Sequence, residues 1–570
     1  MSGNGKDAVR LCQHIIRQAF GDVVCRVAST LLNRGRLPAF SISKLSALPR
    51  PTTLAALLIL IQHNIVFSSG ASAKGTDEEE MYEVDVQECL LRMRWGRILA
   101  VTREEFDSDA EEVVQQLMVY GKLALPEIID ACGGTGDGQR AQIITAAIIA
   151  LVRGNFLQPT DPELHILRVD QIARRFAHHR RSGEAMPSAQ NLVRMETKAI
   201  SEVDEERETL RSIERVLIKS KRTDKSSKGK DKAEFSYSLN PTISLRINYD
   251  KFGVLIRNQL VVQAAEDRWN KGAAVVLAGV LTASLHDQTN LRETRTYTGV
   301  GLPSVVGSIP PAQHGVLVAG MAGGTSKSPS DLTRAYLGIM AGEDQMMGNG
   351  AAFLQRDGSS NASYVVELES ICGRLKQGLL SDLVKERLGE KAARVLAVVA
   401  RANKAGETMV GLSPTSAEVQ LKLRQVRDCA MIPLKEARTI LSQLQKLSLV
   451  ETQEVPRTAA KSRPGFSASE FHLWQVDIAK VYGFLLSGVY KTLGNILQRK
   501  ATELEKRKAV MERLARVEKA GKDREILSGK DQDDLRELDD IVKKLTLAEA
   551  RTEVVVMILR DLPGGPQARV

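Results

Sequence analysis

Two glycine-rich stretches and eight histidines are the first candidates in this chain for phosphate binding, catalysis or metal binding. Residues 323–328 include a lysine but lack the glycine before it that a phosphate-binding loop requires. Residues 133–138 do not match GxGxxG, so a loop is the better interpretation. His178 and His179 are neighbours that point to different faces, whereas metal ligands must converge. We therefore predict no catalytic residues, no cofactor-binding residues and no metal ligands, and a chain that is not an enzyme.

Six basic side chains in residues 435–463 could contact phosphate groups. Arg and Lys supply the electrostatic part of nucleic-acid binding, but an ordinary solvated surface has the same composition. The sequence favours neither interpretation. The candidate DNA-binding residues are Lys435, Arg438 and Lys446 on a predicted helix, and Arg457, Lys461 and Arg463 in the loop that follows it.

Residues 432–476 show which elements position these basic side chains. Apolar residues recur with helical spacing at Ile440, Leu441, Leu444 and Leu447, so one helix face is buried and the basic residues lie largely off it. A strand-like segment at 449–455, a basic loop and an alternating segment at 471–476 follow. Helix, strand, loop and strand in this order predict a winged helix, whose helix and β-hairpin wing can both face a partner.

The same unit recurs about four times along the chain. Its clearest mark is a helix that runs directly into a strand, at residues 62–66, 153–157 and 447–450. In the first copy, residues 54–61 of this helix carry no charge. We expect that helix to be buried or covered by another protein, and it is unsuited to reading bases. The copies are too irregularly spaced for a solenoid, so we predict an array of winged helices.

The last segment of the chain has apolar residues in heptad steps. Its first arm is mainly basic, and residues 531–540 carry six acidic residues against Arg536. These features predict an antiparallel helical hairpin, or coiled coil, with complementary charge. The apolar positions that we expect to serve partner docking are Leu497, Leu504, Met511, Leu514, Leu535, Leu538, Val542 and Leu545.

Length and composition favour several folded, mainly helical domains. The 570 residues are 43% hydrophobic but only 4% aromatic, and the net charge of +10 permits contact with nucleic acid or an acidic protein. The six cysteines form no CxxC pair, which indicates a reducing compartment. No apolar run reaches transmembrane length and no signal-peptide core is present, so we expect an intracellular protein with no membrane partner.

We predict a mainly α fold with small β wings, built from tandem winged-helix domains and a C-terminal antiparallel helical hairpin or coiled coil. Winged helix 2 is expected to close with a return strand at residues 164–169. The glycine-rich stretch at 299–330 is expected to be an insertion or loop within winged helix 3. The expected boundaries are 1–95 for winged helix 1, 96–218 for winged helix 2 with a charged helical extension, 219–234 for a basic disordered linker, 235–375 for winged helix 3, 376–480 for winged helix 4 and 481–570 for the hairpin.

With these features in this order, the chain resembles the RNA polymerase III-specific subunit built from four extended winged helices and a C-terminal coiled coil. That subunit is the largest member of the polymerase's initiation heterotrimer. Residues 302–330 depart from the family's pattern. The stretches that carry the resemblance cover most of the chain: residues 11–67, 91–98, 121–123, 249–261, 384–396, 428–437 and the tail hairpin.

The resemblance implies a non-catalytic subunit of DNA-dependent RNA polymerase III without a cofactor. Such a subunit would act in promoter opening and transcription initiation of small RNA genes, through protein docking and DNA contact in the nucleus. The implied partners are other polymerase III subunits, especially the two smaller heterotrimer subunits and the clamp of the largest subunit, and promoter DNA. A winged-helix interaction scaffold of another multi-subunit complex is the alternative that the residues leave open.

Overall fold

We describe the fold from a computed structural model, which covers residues 5–70, 80–134, 138–182, 188–221, 235–321, 328–342, 352–357, 363–408, 421–456, 470–519 and 528–564. These residues form two compact units, one from 5–256 and 493–553 and the other from 257–492 and 554–564. No single helix among them is long and apolar enough to cross a membrane. One bent pair, at Ala39–Ser46 and Arg50–Gln62, meets that criterion only when its two helices are taken together.

Module 1 combines helices with a small antiparallel sheet. α1 (Lys6–Arg34) changes direction at Gly21, whose φ of 82° is readily adopted by glycine. It is followed by β1 (Leu37–Pro38), α2 (Ala39–Ser46), α3 (Arg50–Gln62), β2 (Val66–Ser68) and β3 (Met81–Val84). The strands lie in the order β1-β3-β2. The chain then continues through α4 (Val86–Leu91) and α5 (Trp95–Glu105).

Module 2 has the same plan with a much longer wing. Its first elements are α6 (Ser108–Tyr120), β4 (Leu123–Ala124), α7 (Leu125–Ala131), α8 (Gly138–Arg153) and β5 (Leu157–Pro159). The wing holds α9 (Arg168–Ser182), α10 (Ala189–Arg211), β6 (Leu217–Lys221) and β7 (Phe235–Leu239). β8 (Ser244–Ile247) then closes the sheet in the order β4-β8-β5, and α11 (Tyr249–Arg268) follows.

The closing strand of module 2 is not the expected one. In place of a strand at 164–169 the structure has a 3-10 turn at Pro162–His165 and the start of α9, and β8 lies beyond the expected module end at 218. β8 pairs with β4 on one side and β5 on the other, which buries Leu245 and Ile247 in the middle of the sheet. Of the expected linker, residues 219–221 belong to β6, and residues 222–234 lie outside the described part.

Module 3 also differs from its prediction. It contains α12 (Lys271–Ala283), β9 (Val300–Gly301), α13 (Leu302–Ser308), α14 (His314–Ala319), α15 (Pro329–Met340), β10 (Leu354–Arg356) and β11 (Ser363–Val366). The stretch 299–330, expected to be an insertion or loop, supplies a strand and two helices from its described residues. Val305, Ile309 and Leu317 are buried there in the core of the module. Their burial outweighs the low helix propensity of the glycines around them.

α16 (Leu368–Leu388) leads from module 3 into module 4. Module 4 contains α17 (Glu390–Thr408), β12 (Leu421–Lys422), α18 (Leu423–Ala430), α19 (Leu434–Lys446), β13 (Glu451–Pro456) and β14 (Glu470–Gln475). The tail contains α20 (Ile478–Lys506), α21 (Lys508–Lys519) and α22 (Gly529–Val556), and it ends in a π-helical turn at Met557–Asp561.

Four three-stranded sheets in the described residues share one topology. The strand before the inner helices of the module lies at one edge, the outgoing wing strand lies at the other edge, and the returning wing strand lies between them. All of these pairings are antiparallel. The arrangement confirms a mainly α fold with small β wings, repeated in tandem.

The helix that precedes each wing ends in a left-handed residue. Asn64, Asn155 and Ser448 have φ values of 58°, 61° and 57°, and Gly342 has 76° in module 3. In the three non-glycine cases the following N–H bonds the carbonyl five residues back, at 2.9 to 3.0 Å. This Schellman pattern satisfies a carbonyl that the helix leaves free and turns the chain into the strand. It is the physical basis of the helix-to-strand mark in the sequence.

Met431, between α18 and α19, offers a test of this backbone geometry. Its φ is 54° and its side chain is 86% exposed, so it gains little from packing. Left-handed backbone costs a non-glycine residue about 1–2 kcal/mol. We therefore expect Met431→Gly to stabilise module 4 by about 1 kcal/mol, and Met431→Ala, which keeps the Cβ, to change its stability little. Hydrogen exchange of the α18 and α19 amides measures both, and equal protection in the two variants would contradict the prediction.

Candidate nucleic-acid and partner interfaces

α19 presents basic side chains to solvent. Its apolar residues pack into the core of module 4, whereas Lys435, Arg438 and Lys446 are exposed. Among the described residues none of these three forms an ion pair, although their neighbour Glu436 pairs with Lys391 at 2.7 Å. These three positive charges are therefore available to bind an anion that lies outside the chain. The loop residues of the same prediction lie outside the described part: Arg457, Lys461 and Arg463.

α3 is the counterpart of α19 in module 1, because each is the helix that leads into the wing. Leu57 and Leu60 of α3 are buried, but Leu54, Leu58 and Ile59 are 43%, 68% and 39% exposed. No charge interrupts this face, and the described residues leave it uncovered. Contiguous apolar surface of this kind is typical of a protein-binding site. The two equivalent helices thus expose opposite chemistry.

The C-terminal end of α3 is fixed by module 2. The ammonium of Lys122 donates to the carbonyl oxygen of Ile61 at 2.6 Å, and Gln62 Nε2 donates to the carbonyl oxygen of Lys122 at 2.7 Å. A cation at a helix C-terminus also interacts favourably with the helix dipole. Gly121 has a φ of 84°, and a Cβ there would lie 2.5 Å from the Gln62 oxygen. Only glycine permits the backbone at residue 121 to lie this close to the end of α3. Gly121 and Lys122, which follow α6, therefore position α3 together.

Burial shifts the pKa values of the ionisable groups at this contact. Desolvation, and then the nearby Arg246, lower the pKa of Lys122 to about 7. Desolvation, followed by Arg92 and Lys122, lowers the pKa of His63 to about 4. The imidazole of His63 is therefore neutral at pH 7. A protonated His63 would be a second buried cation beside Lys122, and its lowered pKa avoids this.

The tail forms the predicted antiparallel hairpin, with α20 and α21 as one arm and α22 as the other. Residue numbers increase along the first arm while those of their ion-pair partners on the second arm decrease, which is the antiparallel arrangement. Basic side chains of the first arm face acidic side chains of the second, as the sequence predicts. Among the described residues three ion pairs join the arms: Lys500 with Glu549 at 3.5 Å, Arg507 with Glu537 at 3.1 Å, and Arg513 with Asp531 at 3.3 Å.

The buried seam of the first arm does not include all of the predicted docking residues. Glu503 occupies a seam position, with its side chain 4% exposed and bonded to Lys506 at 3.0 Å and Arg507 at 2.7 Å. These charge-assisted bonds satisfy the carboxylate, and the neighbouring Leu504 lies outside the seam. The predicted residues fall into three groups: buried Leu497, Leu514 and Leu538; half-buried Leu535, Val542 and Leu545; and Leu504 and Met511, each 38% exposed.

A buried ion pair joins the hairpin to module 1. Nε of Arg94 and Oε1 of Glu553 are 2.6 Å apart, and their side chains are 2% and 5% exposed. Arg94 lies between α4 and α5, and Glu553 lies near the end of α22. Sequence reasoning missed this pair, because nothing local to either residue indicates its partner. The signal in the sequence that could have indicated their burial is that each charged residue interrupts an otherwise apolar helical pattern.

Groups that could bind a metal or act as nucleophiles are dispersed. The described residues contain no set of three His, Cys, Asp or Glu side chains arranged to hold a metal ion. Cys132 and Cys372 are buried, and burial raises the pKa of each thiol to about 11. Both thiols are therefore protonated at neutral pH, which makes them poor nucleophiles.

Three family models match separate parts of the chain. The model described as RNA polymerase III subunit RPC82 helix-turn-helix domain matches residues 10–69, which include α3. The model described as RNA polymerase III subunit RPC82 matches residues 146–303. The model described as POLR3C, C-terminal winged-helix domain matches residues 416–476, which include α19.

Known proteins align with most of the chain. The DNA-directed RNA polymerase III subunit RPC3 of Danio rerio is 22% identical over 524 residues, which cover 90% of this chain and 87% of the relative. The subunit of the same name from Homo sapiens is 23% identical over 529 residues, with the same coverage. That of Yarrowia lipolytica is 23% identical over 613 residues and covers 97% of both chains.

The ion pair between Arg94 and Glu553 yields a stability prediction. Removing one partner of a buried pair leaves an uncompensated charge, so Arg94→Ala or Glu553→Ala is expected to cost about 3–5 kcal/mol. The double variant Arg94→Met/Glu553→Leu is expected to recover most of this loss. Trp95 is the one tryptophan of its compact unit, so its fluorescence during urea unfolding, with Trp269 and Trp474 changed to Phe, measures the effect.

Arg103→Ala provides the control for this experiment. Arg103 lies on α5, 71% exposed and 3.7 Å from Glu111, and an exposed pair of this kind contributes about 0–1 kcal/mol. Similar losses for Arg94→Ala and Arg103→Ala would contradict a special role for the buried pair.

Proposed function

We propose that this chain acts in promoter opening and transcription initiation of small RNA genes. It belongs to the RNA polymerase III subunit family that the three matching models describe, and it is a non-catalytic subunit. It performs this role through protein docking and DNA contact in the nucleus. Its proposed partners are other polymerase III subunits, especially the two smaller subunits of the initiation heterotrimer and the clamp of the largest subunit, and promoter DNA.

One observation carries this proposal: two helices in equivalent positions expose opposite chemistry. α19 exposes three cations without ion-pair partners among the described residues, and α3 exposes three aliphatic side chains. Cations on a helix outer face suit phosphate groups, whose neutralisation releases counterions. Aliphatic residues suit another protein. A chain that joins a polymerase to DNA needs both kinds of surface.

The hairpin supplies a second docking element. Leu504 and Met511 face outward from its first arm, in a setting rich in basic side chains. Exposed Leu and Met at a seven-residue spacing form an apolar stripe that another helix can pack against. The hairpin is anchored to module 1 through Arg94 and Glu553, so this stripe and α3 belong to one compact unit.

The DNA contact of α19 is tested by reversing its charge. We expect the triple variant Lys435→Glu/Arg438→Glu/Lys446→Glu to weaken binding to a promoter duplex. The plot of log K against log salt becomes less steep by up to about 2.7, because each phosphate contact contributes about 0.9 to the slope. A matched control reverses three exposed arginines on α9 and α10: Arg180, Arg181 and Arg194. An unchanged slope in the α19 variant, or an equal change in the control, would refute the contact.

The docking role of α3 is tested with Leu58→Asp. Leu58 is 68% exposed, so the substitution is expected to leave the melting temperature of the chain unchanged. A carboxylate at the centre of an apolar interface is desolvated without a partner, so we expect loss of polymerase III subunits that copurify with the chain from cells. Val169→Asp, at a valine of α9 that is 73% exposed, is the control. Retention of those subunits by Leu58→Asp would exclude this face, and a wild-type chain free of them would overturn the assembly itself.

A further inference from the structure

β10 of module 3 is an edge strand whose outer side meets no other described strand. Its sheet has the order β10-β11-β9, so β10 pairs with β11 alone. The outgoing wing strands of the other modules are protected. In module 1, Ser68 of β2 forms a bridge with Ile166. In modules 2 and 4 the strand contains a proline, Pro159 in β5 and Pro456 in β13. A proline or a pairing partner stops a further strand from adding, and among the described residues β10 has neither.

The register of β10 shows which of its backbone groups face outward. The carbonyl oxygen of Phe353 accepts from the N–H of Glu367 of the partner segment at 2.9 Å. Hydrogen-bonded and non-bonded positions alternate along an antiparallel pair, so Leu354 and Arg356 turn their N–H and C=O groups away from β11. No described group bonds the backbone of Leu354 on that side. The free edge thus offers donors and acceptors at the spacing that another strand requires.

A groove with a volume of about 500 Å³ borders this free edge. Ala341, Ala352 and Leu354 supply apolar walls, and the two alanines are small enough to leave room for a polypeptide backbone. Ser370 of α16 also lines the groove, and its hydroxyl is buried without a hydrogen-bond partner among the described residues. A buried polar group without a partner is costly, so this hydroxyl is suited to bond a molecule that enters the groove.

Positive charge surrounds the same edge. The Cζ atoms of Arg268 and Arg374 lie 5.0 and 5.8 Å from the centre of the Phe353 ring, which directly precedes β10. Desolvation, and then Arg374, lower the pKa of Arg268, so the two cations are close enough to repel each other. Arg374 forms no ion pair with a described residue. Arg356 of β10 adds a third cation, and Glu367 is the one acidic side chain among the described residues that line the groove.

We propose that the free edge of β10 takes up an extended segment of a partner protein as an added strand, and that this segment carries acidic side chains. The outward N–H and C=O groups of β10 bond its backbone, which gives affinity with little demand on sequence. Side chains alternate along a strand, so carboxylates at every second position face Arg268 and Arg374 while the apolar residues between them contact Ala341 and Ala352. The hydroxyl of Ser370 bonds the added segment. This surface is separate from α3 and α19 and needs neither of the contacts proposed for them.

Fluorescence anisotropy with the 570-residue chain and a labelled peptide tests the added strand. The peptide alternates valine and glutamate, so it is both strand-forming and acidic. We expect it to bind, and two matched peptides of equal length to bind more weakly. Replacing glutamate by lysine places like charges together and is expected to weaken binding at least about tenfold. N-methylation of alternate amides removes backbone donors and is expected to abolish strand pairing.

Arg356→Pro gives the edge of β10 the protection that Pro159 gives to β5. The N–H of Arg356 faces away from β11, so the proline removes the outward donor and leaves the pairing with β11 intact. We expect peptide binding to weaken about tenfold, because an outward hydrogen bond is lost and the ring obstructs the edge. Arg356→Gln keeps the donor, so it is expected to weaken binding less and to make binding less dependent on salt.

Ser370→Ala separates a binding role of this hydroxyl from a structural one. The hydroxyl has no partner in the free chain, so we expect an unchanged melting temperature and peptide binding that is about fivefold weaker. Leu58→Asp on α3 and Arg180→Gln on α9 are controls that are expected to bind the peptide like the wild type. The triple charge-reversal variant of α19 is expected to do the same, so failure of the proposed DNA or α3 contact leaves this surface standing.

Equal binding of the three peptides would overturn the proposal, as would unchanged binding by Arg356→Pro or by Ser370→Ala. Hydrogen exchange of the Leu354 amide identifies other occupants of the edge. We expect fast exchange in the free chain and slow exchange with the acidic peptide. Slow exchange without peptide would overturn the proposal: if it depends on protein concentration, a second copy of the chain occupies the edge, and otherwise the chain covers its own edge.

Discussion

The ion pair between Arg94 and Glu553 is the constraint on which the compact unit around module 1 depends. Both side chains are almost fully withdrawn from water, so each is acceptable only while the other is present. The pair brings the end of α22 against the segment between α4 and α5, and Lys122 holds α3 from module 2. The exposed face of α3 is therefore carried on a helix that is fixed at its end. A docking surface on such a support loses little freedom when a partner binds.

The four winged-helix units have the same backbone plan and different surfaces. In modules 1, 2 and 4 a Schellman turn at the end of the helix before the wing sets the path into the strand, and it uses backbone groups and one left-handed residue. The outer face of that helix takes no part in the turn. It is consequently aliphatic in α3 and basic in α19 without any change in how the sheet is built. Repetition of one fold has thus produced surfaces of different chemistry.

Local patterns predicted the features that depend on local physics. The left-handed Asn64, Asn155 and Ser448 were visible as the helix-to-strand mark, and the opposite charges of the arms indicated the hairpin. Pairing between distant segments was not visible. The return strand β8 follows two helices and a hairpin that no periodicity assigns to a wing, and stretch 299–330 folds because its few apolar residues meet a core made elsewhere. The exposure of Leu504 was not visible either, because the buried position beside it is taken by Glu503, whose charge is compensated by its cationic neighbours. The basic residues of α19 were placed correctly on the exposed face, and their role stays a prediction.

The charge pattern of the hairpin also bears on stoichiometry. Its first arm is basic and its second is acidic, and the arms meet through Arg507 with Glu537 and Arg513 with Asp531. Two copies of the chain that paired like arms would place cation against cation and acid against acid, which disfavours a parallel dimer. Within one chain the complementary arm is always close by, at a high effective concentration. The hairpin is therefore expected to close within one chain rather than between two parallel copies.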